Sequence, residues 1–92
     1  MRVQLDPDLI KKLKKLNVRV RNKFFAKIEK FQKNPHDPEL NYHELSGNYK
    51  GYRSIDITND WRAIYEELYT KTKAKIAYFF KLGTHDELYK NS

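Results

Sequence analysis

The first third of the chain places apolar residues three or four positions apart, with lysines between them, as an amphipathic helix does. Asp6-Pro7, typical of a helix N-cap and first helical position, opens this pattern, and Asn17 closes it. A second stripe follows and stops at Asn34-Pro35. We therefore predict two helices, preceded by a short strand at Arg2–Leu5. The two stripes are Leu9, Ile10, Leu13 and Leu16, and then Val20, Phe24, Ile28 and Phe31.

The second half changes to the two-residue period of β-strands, after a proline-containing loop over residues 34–41. Gly51–Thr58 sets Tyr52, Ser54 and Asp56 on one side against Arg53, Ile55 and Ile57 on the other. Trp61–Tyr69 and Lys73–Leu82 are two further predicted strands, joined by a polar turn at residues 70–72. Three strands in series indicate an antiparallel meander.

The last predicted element is one helical turn directly after the third strand of the meander. Gly83 ends that strand, and Thr84 followed by Glu87 has the spacing of a capping box. The predicted fold class is α+β: a short N-terminal strand, two helices packed on one face of a small antiparallel sheet, and a short C-terminal helical turn. The other face of the sheet is left bare, which favours a ligand groove there.

Charge is unevenly distributed along the 92 residues, which carry 19 Lys and Arg against 12 Asp and Glu, a net charge of +7. Residues 1–34 hold eleven basic and three acidic side chains, a net +8, whereas the remainder is close to neutral at −1. This imbalance favours a polyanionic partner such as nucleic acid. The lysine faces of the two helices either contact phosphates or are solvated helix surface.

Composition limits the classes of protein that this sequence can represent. Seven Tyr, five Phe and one Trp indicate a folded domain despite the high charge, and the length favours a single domain over residues 1–92. The absence of cysteine excludes thiol nucleophiles and cysteine-ligated metals. No apolar run reaches ten residues, so we expect a soluble, cytoplasmic protein. Without a glycine-rich phosphate loop or a Gly-x-Ser-x-Gly elbow, nucleotide hydrolysis and serine-hydrolase chemistry are disfavoured.

Two of the three histidines lie at predicted ends of the sheet. His43 precedes the sheet and His85 follows its last strand, whereas His36 lies in the proline-bounded loop. Two exposed loop histidines are often ordinary surface residues, but a pair across a groove can exchange protons near neutral pH. Metal binding fits the pair less well, because a close third ligand is missing.

Arg62 falls in the middle of a predicted strand, on the side opposite Trp61 and Ala63. A mid-sheet arginine needs an anionic partner, and two interpretations stay open. It forms a cross-strand pair with Asp56 or Asp60, or it provides a fork for a phosphate. Either aspartate can also orient a histidine.

Four sequence blocks in the second half together resemble one protein family. The chain is similar here to the RelE superfamily of toxins from bacterial toxin–antitoxin pairs, and within it to the YafQ type. The resemblance covers about residues 40–90, while the lysine-rich helices match only in placement and charge. The blocks are His43-Glu-Leu-Ser-Gly47, Lys50-Gly-Tyr-Arg-Ser-Ile-Asp-Ile57, Asp60-Trp-Arg-Ala-Ile-Tyr65 and Gly83-Thr-His-Asp-Glu-Leu-Tyr89.

The resemblance implies a ribosome-dependent endoribonuclease, an mRNA interferase that cuts messenger RNA in the decoding site. Its chemistry would use no metal or other cofactor: the ribose 2′-hydroxyl attacks the neighbouring phosphate while side chains remove one proton and supply another. The implied partners are a cognate antitoxin, the ribosome with its rRNA, and mRNA, and no membrane. The toxin–antitoxin complex would oligomerise and bind operator DNA through the antitoxin.

The resemblance also assigns roles to individual residues. The implied catalytic residues are His43, Asp60, Arg62, His85 and Tyr89, and the predicted substrate-binding residues are Lys50, Arg53 and Asp56. We expect His85 to be the general acid and His43 or Asp60 the base. Arg62 and Arg53 would stabilise the phosphate charge, and Tyr89 would stack on or orient the substrate. The YafQ type has a further histidine where this chain has Asp56, so the acid–base set here is shorter or differently divided.

Two alternatives without this catalysis remain. A gyrase inhibitor of the ParE type would use the same fold without the acid–base set, and the presence of His43 and His85 argues against it. A basic module that binds RNA or DNA would need only the positively charged helical segment.

Overall fold

The computed structural model describes residues 1–89, so the last three residues of the predicted domain, 90–92, lie outside the described part. Two 3₁₀ turns, at Pro38–Leu40 and Gly47–Tyr49, lie in the loops around the second strand. The strands and helices, in chain order, are β1 (Arg2–Leu5), α1 (Pro7–Lys15), α2 (Val18–Lys33), β2 (His43–Glu44), β3 (Arg53–Asp56), β4 (Trp61–Tyr69), β5 (Lys75–Thr84) and α3 (His85–Tyr89).

Side-chain caps set the starts of the two long helices, which confirms the predicted boundaries. The Asp6 carboxylate accepts a hydrogen bond from the Asp8 backbone N–H at 2.8 Å, and the Asn17 side chain accepts one from Arg19 N–H at 2.7 Å. α2 ends at Lys33, one residue before the predicted Asn34-Pro35 stop. Within residues 1–89, no helix has the length and apolar character needed to cross a membrane.

The sheet has five strands in the order β1-β5-β4-β3-β2. The predicted meander is confirmed as β3-β4-β5, and the opening strand β1 pairs in parallel with β5. β2 was not predicted, because two residues are too few to show a period. The third meander strand begins at Lys75 rather than Lys73, since Lys73 adopts a turn conformation with φ of 65°.

The hydrophobic core lies between the sheet and one layer formed by α1 and α2, as predicted. Phe31 of α2 packs edge-on against Tyr65 of β4 at 5.1 Å and Phe79 of β5 at 5.3 Å between ring centroids. Leu9 and Leu13 of α1 join the same cluster. These contacts hold the helices against one face of the sheet.

The face away from the helices, which we call the open face, is less bare than predicted. Ser54 and Ile64 lie opposite each other on β3 and β4, and both are fully buried. Neither belongs to the core beneath α1 and α2. The open face therefore carries a second small packed region, next to the histidines.

Candidate functional site

One row of side chains crosses four strands of the sheet on the open face. His43 of β2 is in register with Ser54 of β3, Ser54 with Ile64 of β4, and Ile64 with Lys81 of β5. Strand alternation puts Asp56 on the same side as Ser54, and Arg62 on the same side as Ile64. Ile55, Ile57, Ala63 and Tyr65 lie in the core on the other face, which confirms the predicted division of these two segments between the faces.

The imidazole of His43 is held by hydrogen bonds at both ring nitrogens. Nδ1 lies 2.9 Å from the Asn41 backbone carbonyl oxygen, and Nε2 lies 3.1 Å from Ser54 Oγ. A carbonyl oxygen can only accept, so Nδ1 carries the hydrogen. In the neutral ring Nε2 is then unprotonated and accepts a hydrogen bond from the Ser54 hydroxyl. His43 is therefore fixed with its basic nitrogen beside a hydroxyl group.

Ser54 and Tyr89 connect His43 to His85. The Tyr89 side chain lies beside Ser54: burial raises the pKa of the Tyr89 phenol, while Ser54 and the charge of Arg62 act in the lowering direction. The Tyr89 ring also contacts the His85 ring at 4.7 Å between centroids, edge to face. The two histidines predicted from the sequence therefore belong to one cluster of contacting side chains.

α3 brings His85 and Tyr89 to the open face, and a capping box starts the helix. The Thr84 N–H and Thr84 Oγ1 both donate to Glu87 Oε1 at 3.1 Å, and the Glu87 N–H donates to Thr84 Oγ1 at 3.2 Å. The His85 N–H donates to the Asp60 carbonyl oxygen at 2.9 Å. These bonds confirm the predicted capping box and fix α3 against the β3–β4 turn.

Gly83, just before α3, lets this helix pack closely on β5. A β-carbon at this position would lie 3.1 to 3.3 Å from the Leu88 side chain, which is tighter than an ordinary contact. Leu88 is buried. The absence of a side chain at Gly83 thus keeps α3, and with it His85, close to the strand.

The guanidinium group of Arg62 is already paired with other groups of the protein. Its Nε lies 2.8 Å from Asp56 Oδ1, and its Nη1 donates to the backbone carbonyls of Thr58 at 2.9 Å and Asn59 at 2.8 Å. The other Asp56 oxygen accepts from the Asn41 side chain at 3.0 Å. The cross-strand pair considered above is therefore present, and it ties the β3–β4 turn to the loop that carries His43.

Asp60 lies in the β3–β4 turn with an exposed side chain. It borders a groove of about 570 Å³ between this turn and α2, where Arg19, Lys23 and Lys27 line the opposite wall. The structure thus joins Asp60 to the cluster through the bond between its carbonyl and His85.

The remaining predicted substrate-binding residues lie apart from the cluster. Arg53 is on the helix side of the sheet, where its Nε donates to the Tyr42 hydroxyl at 2.8 Å and its Nη1 lies 3.5 Å from Glu67. Lys50 is exposed at the end of the second 3₁₀ turn. The structure brings neither residue into contact with either histidine.

Three residues in or beside the cluster were not predicted from the sequence: Asn41, Ser54 and Lys81. Asn41 binds both His43 and Asp56, and its positive φ of 46° marks a left-handed turn. Ser54 was placed on the correct side but given no role, although a small polar residue inside a strand is a usable signal. The position of Lys81 in this row was not predicted, because a β-bulge shifts the register of β5 beside it. Among residues 1–89, no three His, Asp or Glu side chains gather as metal ligands would.

The fold, with His43 on the edge strand β2 and His85 at the start of α3, is that of RelE-like toxins. It is similar to YafQ from E. coli strain BL21(DE3), with a TM-score of 0.72, 26% sequence identity, and coverage of 97% of this chain and 99% of that one. The archaeal RelE–RelB complex from Pyrococcus horikoshii OT3 matches with a TM-score of 0.68, 21% identity, and coverage of 90% and 92%. The E. coli DinJ–YafQ complex matches with a TM-score of 0.60, 23% identity, and coverage of 97% and 99%.

The family itself follows from the sequence match. The family of bacterial toxins of type II toxin–antitoxin systems called YafQ matches residues 4–90. The chain therefore belongs to the YafQ toxin family, which confirms the resemblance identified from the four blocks. No curated protein matches the sequence with significance.

Proposed function

We propose that this toxin is an endoribonuclease, an mRNA interferase that cuts messenger RNA on the ribosome by acid–base chemistry. The observation that supports it most directly is the contact chain that links His43 to His85 through Ser54 and Tyr89. Two imidazoles in one cluster, one of them with a defined unprotonated nitrogen, are suited to move two protons in a single reaction.

The reaction would transfer a phosphoryl group within the RNA. The ribose 2′-hydroxyl gives its proton to His43 Nε2 as O2′ bonds to phosphorus, and the bond from phosphorus to the 5′-oxygen breaks as His85 protonates that oxygen. The products carry a 2′,3′-cyclic phosphate and a 5′-hydroxyl. In the free protein, Nε2 accepts from the Ser54 hydroxyl, and a ribose hydroxyl can replace it because it is the same kind of donor.

The structure favours His43 over Asp60 as the base. Both candidates were open from the sequence. The hydrogen bond to Asn41 leaves a lone pair at His43 Nε2 within the cluster, whereas the exposed side chain of Asp60 borders the groove next to α2. We assign Asp60 the role of positioning His85, through the carbonyl that accepts the His85 N–H.

We propose that Lys81 shares with Arg62 the stabilisation of the negative charge on the phosphate. Lys81 is exposed and lies in the row that begins with His43 and Ser54. Arg62 already binds Asp56 and backbone carbonyls, and its side chain is only 17% exposed. A phosphate would have to compete with Asp56 for Arg62, so we infer that Arg62 acts mainly through its field and by holding the turn. Arg53 is left out of this role, since it binds Tyr42 and Glu67 on the other face.

The proposed partners are a cognate antitoxin, the ribosome and mRNA in the cytoplasm. Complexes with DinJ and with RelB are known for proteins of this fold, which supports an antitoxin partner here. We propose that lysines of α1 and α2 contact ribosomal RNA phosphates, because residues 1–34 carry a net charge of +8. Oligomers of the toxin–antitoxin complex would bind operator DNA through the antitoxin.

Expression in bacteria, followed by primer extension on a translated message, tests this function. The wild-type chain should arrest growth and leave discrete cuts within codons. His43→Ala and His85→Ala should each lower cutting by about a hundredfold or more, because each removes one partner of acid–base catalysis.

His36→Ala is the matched control, since His36 is exposed and contacts the Tyr42 ring edge to face in the loop before β2. It should cut as the wild type does. Growth arrest without cuts in the message would contradict the nuclease and point to the gyrase-inhibitor alternative. Full cutting by His85→Ala would contradict the assigned acid.

A further inference from the structure

Two aromatic side chains on the open face stand outside both the core and the histidine cluster. The rings of Tyr52 and Phe80 contact each other edge to face, with centroids 5.0 Å apart. Both residues are partly exposed, and neither packs against the core beneath α1 and α2. The core does not account for this pair.

A β-bulge directs Phe80 to the open face. The pairing of β4 with β5 runs from Ile64 opposite Lys81 to Tyr65 opposite Phe79, so Phe80 has no partner in the register. Phe79 and Leu82 both lie in the core, and the two residues between them therefore project to the other side. Phe80 and Lys81 are thus presented together, and bulges commonly re-aim side chains next to functional sites.

The surroundings of this pair are basic, aromatic and continuous with the proposed catalytic cluster. Lys81 Nζ lies 5.5 Å from the centroid of the Tyr49 ring, and the Tyr49 ring contacts Tyr89 at 5.9 Å. Lys50 is exposed between Tyr49 and Tyr52 in the sequence. Surfaces on which aromatic rings alternate with lysines bind single-stranded nucleic acid, because the bases stack on the rings and the lysines neutralise the phosphates.

We propose that Tyr52 and Phe80 form a stacking surface for one nucleobase of single-stranded RNA, in a nucleotide next to the one that is cut. Lys81 follows Phe80 at the bulge, and its ammonium group lies over the Tyr49 ring, which contacts Tyr89 of the histidine cluster. In the proposed complex, Lys81 contacts the phosphate between the stacked nucleotide and the one that is cut. The inference rests on the proposed nuclease function, which it deepens by locating a subsite for the substrate. Stacking does not depend on base identity, so this subsite contributes affinity rather than codon preference.

The first test compares single-turnover cleavage of ribosome-bound mRNA by Tyr52→Leu and Phe80→Leu with that by Tyr69→Leu. Leucine keeps an apolar side chain but removes the stacking ring, and Tyr69 is an exposed tyrosine at the far end of β4. We expect each subsite variant to raise the half-saturating ribosome concentration by at least about fivefold, with little change in the maximal rate. Tyr69→Leu should match the wild type, and thermal unfolding verifies that each variant folds.

An abasic nucleotide placed in turn on either side of the cut identifies the stacked base. At one position it should weaken the wild type as much as Tyr52→Leu does, and it should add nothing further to Tyr52→Leu. Equal losses in wild type and variant at both positions would overturn the proposal, as would wild-type behaviour of both leucine variants.

A readout without catalysis separates this proposal from the nuclease assignment. A short single-stranded RNA containing 2-aminopurine should lose fluorescence on binding the wild-type chain, and less so with Tyr52→Leu or Phe80→Leu. Such quenching without any cleavage by the wild type would overturn the nuclease function and leave the stacking surface supported. Equal quenching by wild type and both variants would overturn the stacking surface.

Discussion

Side chains at this site differ in how many of their bonds to other protein groups a substrate could replace. Arg62 binds Asp56 and backbone carbonyls, whereas His43 is held by one backbone carbonyl and one hydroxyl that a substrate can replace. Arg62, which the resemblance implies as a phosphate-binding residue, thus has a clear structural role. The imidazoles carry the proposed chemistry.

Asp56 should matter for stability more than Asp60 does. Asp56→Ala leaves the largely buried Arg62 without its anionic partner and Asn41 without an acceptor, so we expect a loss of about 1–3 kcal/mol in the free energy of unfolding. Asp60→Ala removes an exposed carboxylate and should change it by less than about 0.5 kcal/mol. Urea unfolding measures both, and equal losses would contradict the structural role of the Asp56–Arg62 pair.

Sequence motifs pointed to His43, His85 and Tyr89, which the structure brings into one cluster, but they did not predict the contacts between these side chains. His43, His85 and Tyr89 could be named from their motif context, because those motifs are local. The link through Ser54 joins β2, β3 and α3, and Asn41 bonds both His43 and Asp56. These contacts depend on the folded arrangement of separate segments, which local motifs do not encode. Strand alternation groups Arg53 with Ile55 and Ile57, but its bonds to Tyr42 and Glu67 became visible only in the assembled sheet.

Among the secondary-structure elements, the short helix α3 sets the position of His85, the proposed general acid. Five residues are too few for a helix to persist alone, so the capping box, Gly83 and the bond to Asp60 hold it. Local sequence was sufficient to predict this turn because Thr84 and Glu87 encode it directly. It was insufficient for β2 and for the bulge in β5, which arise from pairing with distant strands.

Acid should loosen α3 before the rest of the molecule. Hydrogen bonds from the Thr84 backbone N–H and hydroxyl, with the charge of Lys12, lower the pKa of Glu87. A lowered folded-state pKa stabilises the fold above the ordinary glutamate value of about 4.3, and that contribution is lost as pH falls through the lowered pKa.

Amide hydrogen-exchange protection of residues 85–89, followed between pH 6 and pH 3, measures this effect. Protection should decrease below about pH 4 in the wild type. In Glu87→Gln it should be lower at pH 6 and change little on acidification. A pH response in Glu87→Gln equal to that of the wild type would contradict the role assigned to this carboxylate.

At the scale of the whole molecule, charge and chemistry occupy different parts of the fold. The net +8 of residues 1–34 lies largely on α1 and α2, on the helix side of the sheet, and the histidine cluster lies on the open face. A small domain of this kind need not build a deep substrate cleft if the ribosome positions the message. Binding and cutting should then be separable by mutation.

Neutralising lysines on α1 should weaken ribosome binding more than neutralising the same number on the β4–β5 hairpin. Lys14 and Lys15 are exposed on α1, and Lys71 and Lys73 are exposed on the hairpin. The double Lys→Gln variant on α1 should bind less tightly, with a shallower dependence of affinity on salt, because fewer counterions are released. The hairpin variant has the same net charge and should retain the wild-type slope; identical slopes for both would contradict a specific role for the helices.

Replacing the 2′-hydroxyl at the cut position tests the central claim, that the cluster around His43 activates this hydroxyl. The measurement is the cleavage of ribosome-bound mRNA that carries a single 2′-deoxynucleotide at the position cut in the unmodified message. We expect no cleavage at that position, and a 2′,3′-cyclic phosphate on the upstream fragment of the unmodified message. Cleavage at the deoxynucleotide at an undiminished rate would contradict it.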